Sequence, residues 1–195
     1  MKCIDFFSEN YGNTQICKLI QDFKIDELIA WELEIATKLS PGPVNNKEFL
    51  YRQIISPIHY DKETNTLTPT AFNDISDKGL SVNRLTHTTE EKIRQMANNR
   101  VEEYNKLNPD KPTRSFSGAV SFLCEDIRNI TVPAAPTPLR GCLVFDTAYE
   151  NDLSHADICQ AVKDKAHARS VRASIRDLAN KYLETNPFFV ENLPD

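Results

Sequence analysis

The sequence predicts an α+β domain with a mixed or mostly antiparallel sheet of about five strands, flanking helices and an N-terminal helical segment. Two observations favour this class: runs typical of strands and runs typical of helices are partly segregated, and no regular β-α-β alternation is present. Parallel sheets need a crossover, usually a helix, between successive strands. We expect a helical segment at residues 1–43 and an α+β domain at residues 44–195, joined in one compact unit.

The N-terminal segment has apolar residues at helical spacing between residues 14 and 39. We expect a break at residues 22–26 that divides this stretch into two short helices. The Ser-Pro-Gly-Pro sequence at residues 40–43 ends the second helix, because proline cannot continue a helix and glycine tolerates left-handed geometry.

Three strands are predicted next. Residues 49–58 mix β-forming and polar side chains, residues 66–72 form a second strand or extended arm, and residues 80–85 form a third. Pro69 interrupts the second of these. Because proline lacks the N–H group that a strand ladder requires, Pro69 suits the edge of a sheet.

A capping box opens the central helix. The hydroxyl of Thr88 can accept a hydrogen bond from a free N–H group of the first turn, and Glu91 can reach back. Ile93 and Ala97 begin an apolar stripe at helical spacing, which predicts a helix over residues 89–107.

Two apolar strands and a last helix complete the chain. Residues 116–123 and 143–145 are apolar and predict buried strands. Residues 150–154 form a loop, after which we expect a helix over about residues 156–183.

Composition limits the function classes. The net charge of −5 and the isoelectric point of about 5.4 disfavour a protein whose whole surface binds nucleic acid, but they leave room for a local basic face. The P-loop, dinucleotide-binding and HExxH zinc motifs are absent, and five glycines are too few for a typical backbone cradle for phosphates. We expect no cofactor and no metal site.

The five cysteines favour a reducing compartment. None lies at a Cys-x-x-Cys spacing, and Cys124 and Cys142 sit within apolar runs, which is typical of small buried hydrophobic residues. No signal peptide and no apolar run of membrane-spanning length are present. We therefore expect a cytoplasmic protein.

The first set of candidate site residues lies on the predicted strands around residues 50–85. Arg52, His59 and Ser81 are candidate catalytic residues, and Arg84 is a candidate binding residue, with Gln53 and Asn83 beside them. Guanidinium groups suit phosphate or carboxylate, and histidine titrates near neutral pH. This hypothesis requires the two strands to be neighbours in one sheet; otherwise these are ordinary exposed polar residues.

A second set follows the strand at residues 143–145. Asp146 ends that strand, and Ser154 and Asp157 are well placed to cap the predicted last helix. Capping does not require His155, which is therefore a candidate catalytic residue. A Ser-His-Asp relay is not expected from three such close neighbours on one helical turn.

The last predicted helix carries a basic stripe. The spacing of its members places them on one face of the helix. It predicts a contact with nucleic acid or with an acidic protein, although an ordinary solvated face has the same pattern. The candidate binding residues are Lys165, Arg169, Arg172 and Arg176.

Four short sequence blocks carry a resemblance to a known group of proteins. They are RQI at residues 52–54, TAF at 70–72, GLSV at 79–82 and SHA at 154–156. Together they resemble a scattered signature of small uncharacterised bacterial proteins. The resemblance implies a bacterial or phage origin and a single compact domain. In those proteins His-Pro follows the RQI block, whereas here the histidine is displaced to His59.

From these observations we expect a non-catalytic subunit of a bacterial complex, acting in phage defence or in conflict with mobile elements. Its partner would be another protein subunit or a nucleic acid, bound through the basic last helix, and no membrane. The alternative is a small toxin-like enzyme. It is either an ADP-ribosyltransferase-like protein using Arg52, Ser81 and Glu125, or a nuclease using His59 or His155. A structural scaffold protein is the third possibility.

Overall fold

In the computed structural model, the described part of the chain forms fifteen helices and strands and two 3₁₀ segments. The structure describes residues 1–61, 63–64, 66–134 and 136–185, with residues 183–185 described without their side chains. The helices are α1 (Cys3–Glu9), α2 (Ile16–Ile20), α3 (Ile25–Trp31), α4 (Glu90–Leu107), α5 (Cys124–Arg128) and α6 (Lys165–Thr185). The strands are β1 (Phe49–Ser56), β2 (Tyr60–Asp61), β3 (Thr66–Leu67), β4 (Leu80–Arg84), β5 (Ser115–Leu123), β6 (Thr131–Val132), β7 (Leu139–Arg140), β8 (Cys142–Phe145) and β9 (His155–Gln160). The 3₁₀ segments are Pro69–Ser76 and Leu85–His87.

The central sheet has five strands in the order β5-β1-β4-β9-β8, and every neighbouring pair is antiparallel. The predicted α+β class is therefore confirmed. Strand periodicity puts alternate side chains on opposite faces of this sheet. One face, which we call the α6 face, packs Leu50, Val82, Val144 and Ile158 in the same apolar cluster as residues of α6.

The other face is covered by two separate groups of helices. Near β8 and β9 the N-terminal helices α1–α3 pack on Phe145, whose ring centroid lies 5.1 Å from that of Phe7. Near β1 and β5 the helix α4 packs on Tyr51 through Ile93. The middle of this face, on β4 and the adjoining edge of β9, carries polar side chains such as Asn83. We call it the cleft face.

Residues 155–160 correct the sequence prediction, because they form strand β9 and not the start of the last helix. Ala156 and Ile158 pack in the apolar core of the α6 face, and the alternate polar residues His155 and Asp157 lie on the cleft face. The helix begins at Lys165, and Asp164 caps it by accepting hydrogen bonds from the N–H groups of Ala166 and His167, both at 2.9 Å. A short strand and a helix thus lie where a single helix was expected.

The 3₁₀ segment Pro69–Ser76 is a second correction, since an extended strand or arm was expected over residues 66–72. Pro69 stands at the first position of the segment, where the fixed φ of proline is favourable. Its missing N–H costs nothing there, because an N–H at this position has no partner within the helix. Phe72 and Ile75 from this segment are buried in the core of the α6 face.

The capping residue of α4 is Thr89, one position later than predicted, and its hydroxyl accepts a hydrogen bond from the N–H of Lys92.

The cysteines follow the prediction only in part. Cys3, Cys124 and Cys142 are free and buried, as small hydrophobic residues would be. Cys17 and Cys159 form a disulfide that links α2 to β9 across 142 positions of sequence. Sequence spacing could not show this pair, because the fold alone brings the two residues together. Disulfides are typical of oxidising compartments, so this pair gives no support to the predicted reducing cytosol.

Within the described part of the chain, no helix combines the length and the apolar character that crossing a bilayer requires. The predicted boundary at residue 43 falls in the connection between α3 and β1. The predicted domain end at residue 195 lies outside the described residues.

Candidate functional site

The strands that carry the first set of predicted residues are neighbours. Strands β1 and β4 pair only at Leu50 with Arg84 and at Tyr51 with Asn83. Beyond these two pairs the backbones separate, and the side chain of Arg52 lies in the opening. Its guanidinium donates to the carbonyl oxygen of Ser81 at 3.2 Å, an acceptor that the β1–β4 ladder leaves free.

Two adjoining cavities open on the cleft face. The larger, of about 260 Å³, lies between the loop after α1 and strands β4 and β9. The smaller, of about 50 Å³, lies at the separation of β1 and β4. Ser81 and His155 line both cavities, and we call the two together the central cleft. The smaller cavity is also lined by Arg52, Gln53, Ile55, His59, Val82, Asn83, Arg100 and Asp152.

Arg52 is the most buried cation of the central cleft, with 7% of its surface exposed. Burial lowers the pKa of its guanidinium, and the carboxylate of Asp74, 3.4 Å away, partly offsets this. The group stays charged because arginine is not deprotonated in proteins. Among the described residues its Nε has no hydrogen-bond partner. A buried donor without an acceptor costs about 1–3 kcal/mol, so such groups commonly mark a place where a ligand or water binds.

His59 lines the same small cavity as a neutral ring. Burial first, and the charge of Arg52 second, lower the pKa of His59 to about 4. Its Nδ1 accepts a hydrogen bond from the backbone N–H of Ile55 at 3.2 Å. The ring proton of the neutral form is therefore on Nε2, which makes His59 a donor and not a general base at neutral pH.

His155 lies where the two cavities meet. Its Nδ1 is 2.9 Å from the hydroxyl of Thr147, and its ring packs edge-on against Tyr149 with centroids 5.0 Å apart. The hydroxyl of Thr147 also donates to Asp157 at 2.8 Å, and that of Ser81 donates to Asp157 at 3.3 Å. Ser81 is thus hydrogen-bonded to the carboxylate. Nothing in this arrangement forms a serine–histidine relay of the kind that activates a nucleophile.

Arg84 lies away from the cleft, buried on the α6 face with 2% of its surface exposed. It binds both oxygens of Glu48, at 2.9 and 2.8 Å, and one oxygen of Asp146 at 2.6 Å. A further bond to the carbonyl oxygen of Gly42, at 2.7 Å, ties down the turn that precedes β1. The predicted pairing of Arg52 and Arg84 around one pocket does not occur, because Arg84 already has structural partners.

The structure also separates the three residues of the ADP-ribosyltransferase-like set. Arg52 contacts the backbone of Ser81, but Glu125 lies on α5, past the far end of β5, and does not line either cavity. The N–H group of Glu125 binds the carbonyl oxygen of Asn46, near the start of β1. Among the described residues, no group of three or more histidine, cysteine or acidic side chains is arranged to hold a metal ion.

The basic stripe lies on the opposite side of the sheet and lines two grooves along α6. One groove lies between α6 and the 3₁₀ segment, and the other between α6 and α2. Both are lined by Arg169 and Arg172, so the grooves join into one surface, which we call the α6 groove. Its cationic residues are Lys18, Lys163, Lys165, Arg169, Arg172 and Arg176, and its acidic residue is Asp77.

Four cleft residues escaped prediction from the sequence. Arg100 on α4 reads there as an ordinary solvated helix residue, and Thr147, Tyr149 and Asp152 lie in a connection with no motif. Only the fold brings them to β4 and β9. Comparisons of the chain with protein-family models, with curated proteins and with solved structures find no match.

Proposed function

We propose that this protein is a nucleic-acid-binding subunit that holds the phosphate backbone in its α6 groove. One observation carries the proposal: Arg169, Arg172 and Arg176 line the groove, and none of them makes an ion pair with any residue that the structure describes. Surface cations are usually balanced by nearby acids in an acidic chain. Here the chain has a net charge of −5, yet these three arginines stand together with no ion pair to a described acid.

The lining of the groove favours phosphate over a protein partner. Protein interfaces depend on a few aromatic or large apolar anchors, and the described residues that line this groove include none. Pro69 and Ala173 are its main apolar contributions. These described residues also offer no ring on which bases could stack, so they would bind the backbone and leave the bases unread.

The cations fall into two groups that differ in availability. Lys18 is paired with Asp77 at 2.9 Å and Lys163 with Asp22 at 2.6 Å. Lys165 and the three arginines make no such pair with the described residues. Four phosphate contacts give a slope of log K against log salt of about −3 to −4, so affinity falls about a hundredfold between 50 and 200 mM salt.

The test is charge reversal with a matched control. The triple variant Arg169→Glu, Arg172→Glu, Arg176→Glu lowers the net charge by six, and we expect it to abolish binding of a short fluorescein-labelled RNA of mixed sequence, measured by anisotropy. The control variant reverses three exposed lysines on and just after α4, away from α6, with the same change in net charge. Those lysines are Lys92, Lys106 and Lys111.

The control variant should bind like the wild type, and the melting temperatures of all three proteins should agree closely, because the reversed residues are at the surface. Equal weakening by both variants would mean that total charge alone matters, and unchanged binding by the first would refute the proposal. A bacterial complex, a role in defence and docking on another protein subunit stay predictions of the sequence. The enzyme alternative stays a prediction on the same terms.

A further inference from the structure

The central cleft lies on the face of the sheet opposite the α6 groove, and its chemistry is different. We propose that it binds a nucleoside monophosphate, with the phosphate in the small cavity and the base in the large one. The inference is independent of the proposed function, since the two sites share no lining residue.

The small cavity supplies donors for an anion. Arg52 has a buried Nε without a partner among the described residues, and His59, whose ring is hydrogen-bonded to the backbone of Gln53, lines the cavity beside it. Arg100 completes the set: its one hydrogen bond to a described residue is a weak one of 3.5 Å to Gln53. The cavity of about 50 Å³ exceeds the roughly 10–15 Å³ that one water needs, so it has room for a small anionic group.

Asp152 is the acid that lines the small cavity, and its oxygens are engaged by neutral donors. It accepts hydrogen bonds from the side-chain amide of Asn83 at 2.8 Å and from the backbone N–H of Ser154 at 3.0 Å, and it also binds the hydroxyl of Ser154. Arg52 is paired with Asp74 at 3.4 Å, whereas Arg100 makes no ion pair with the described residues and adds a cation to the cavity. Guanidinium groups of this kind bind phosphate through paired, charge-assisted hydrogen bonds.

The large cavity suits a planar ring with polar edges. Tyr149 is fixed against His155, and Tyr11, 82% exposed in the loop after α1, also lines the cavity. Asn10 and Asn13 from the same loop bring amide groups that can pair with the edge of a base. Stacking on tyrosine is sequence-tolerant because every base has a π-face, so we expect modest discrimination among bases.

Two hydroxyl groups and one carboxylate occupy the part of the cleft between the two ends of this ligand. Ser81, Thr147 and Asp157 line the large cavity beside His155, which borders both cavities. The carboxylate of Asp157 accepts from both hydroxyls and could also accept from a ribose hydroxyl. This order of donors, acceptor and aromatic rings follows the order of phosphate, sugar and base in a mononucleotide.

Calorimetry of the full chain with AMP, GMP, CMP and UMP tests the proposal, with the four nucleosides and inorganic phosphate as separate titrations. We expect a monophosphate to bind at least tenfold more tightly than its nucleoside. Arg100→Ala should remove most of this difference and leave nucleoside binding unchanged, while Tyr149→Ala should weaken both. Arg100 is exposed, so we expect Arg100→Ala to fold normally. We avoid Arg52→Met as the test variant because Arg52 is buried and its loss could prevent folding.

Lys106→Ala, which removes an exposed cation of the same helix outside the cleft, is the matched control and should bind like the wild type. The α6 triple variant should also keep full mononucleotide affinity, which separates this site from the α6 groove. The absence of heat with every monophosphate, or equal affinity for monophosphate and nucleoside, would overturn the proposal. So would unchanged monophosphate binding by Arg100→Ala.

Discussion

Replacing Arg84 by methionine tests whether this residue is structural, as its contacts indicate, or a ligand-binding residue, as the sequence suggested. Methionine keeps an unbranched apolar stem and removes the guanidinium. The carboxylates of Glu48 and Asp146, 8% and 2% exposed, then lose their cation inside the protein. Breaking a buried ion pair from one side costs about 3–5 kcal/mol, a large part of the total stability of an ordinary domain.

The pKa of Glu48 gives a second route to this magnitude. Burial alone would raise the pKa of Glu48 above its ordinary value of 4.5. Hydrogen bonds from Arg84 and Thr86 outweigh this effect and lower the pKa to about 2. A carboxyl group with a lowered pKa stabilises the fold above its unfolded pKa, and this stability is lost as the pH falls from 4.5 to about 2. At about 1.4 kcal/mol per pKa unit the loss is about 3 kcal/mol.

The assay is urea unfolding followed by circular dichroism, at neutral pH and across the acidic range. Arg84→Met should lose about 3–5 kcal/mol at neutral pH, and should lack much of the wild-type decline between pH 4.5 and 2. The control is Arg169→Met at an exposed arginine that pairs with no described acid, and it should change stability by less than about 0.5 kcal/mol. A loss below about 1 kcal/mol for Arg84→Met would refute the structural role.

Three further predictions concern single groups. The pKa of His59, followed by NMR, should be about 4, because burial and the charge of Arg52 hold it below 6.5. The free energy of unfolding should therefore fall as the pH drops from 6.5 to 4, and His59→Gln should remove this fall. Titration of the unfolded chain without reductant should give three free thiols, with Cys17 and Cys159 bonded, whereas five would contradict the disulfide. Gly79→Ala should cost about 1–3 kcal/mol in urea unfolding, because φ is +94° and a Cβ would lie 2.9 Å from the Asp157 carboxyl carbon; full stability would contradict this contact.

The parts of the fold that were predictable are those with local signals. The helix over residues 90–107 carries its apolar stripe and its cap within one short stretch, and strands β1, β4 and β5 are marked by their own side-chain patterns. The helix prediction for residues 155–160 was wrong because this short run of polar and apolar residues resembles the start of a helix. Its strand character comes from pairing with β4 and β8, which a single sequence does not show.

The candidate site divides in the same way. That Arg52 and Ser81 are neighbours depended on the pairing of two strands close in sequence, and this expectation is confirmed. Arg84 lies on a neighbouring strand too, but its structural role comes from ion pairs with two acids, Glu48 and Asp146. Asp146 is distant from Arg84 in the sequence. Residue type indicates what a side chain can bind, whereas only tertiary structure shows whether a partner within the protein already occupies it.

The most direct test of the α6 groove is site-specific photocrosslinking. Ala173 lines the groove between Arg169 and Arg176, and Asn98 is an exposed residue of α4, the helix that packs on the cleft face of the sheet. With p-benzoylphenylalanine in place of Ala173, irradiation should crosslink a labelled RNA, in a yield that falls as salt is raised. The same group in place of Asn98 should give little crosslinking. Equal yields at the two positions, or RNA captured only from position 98, would contradict binding in the groove.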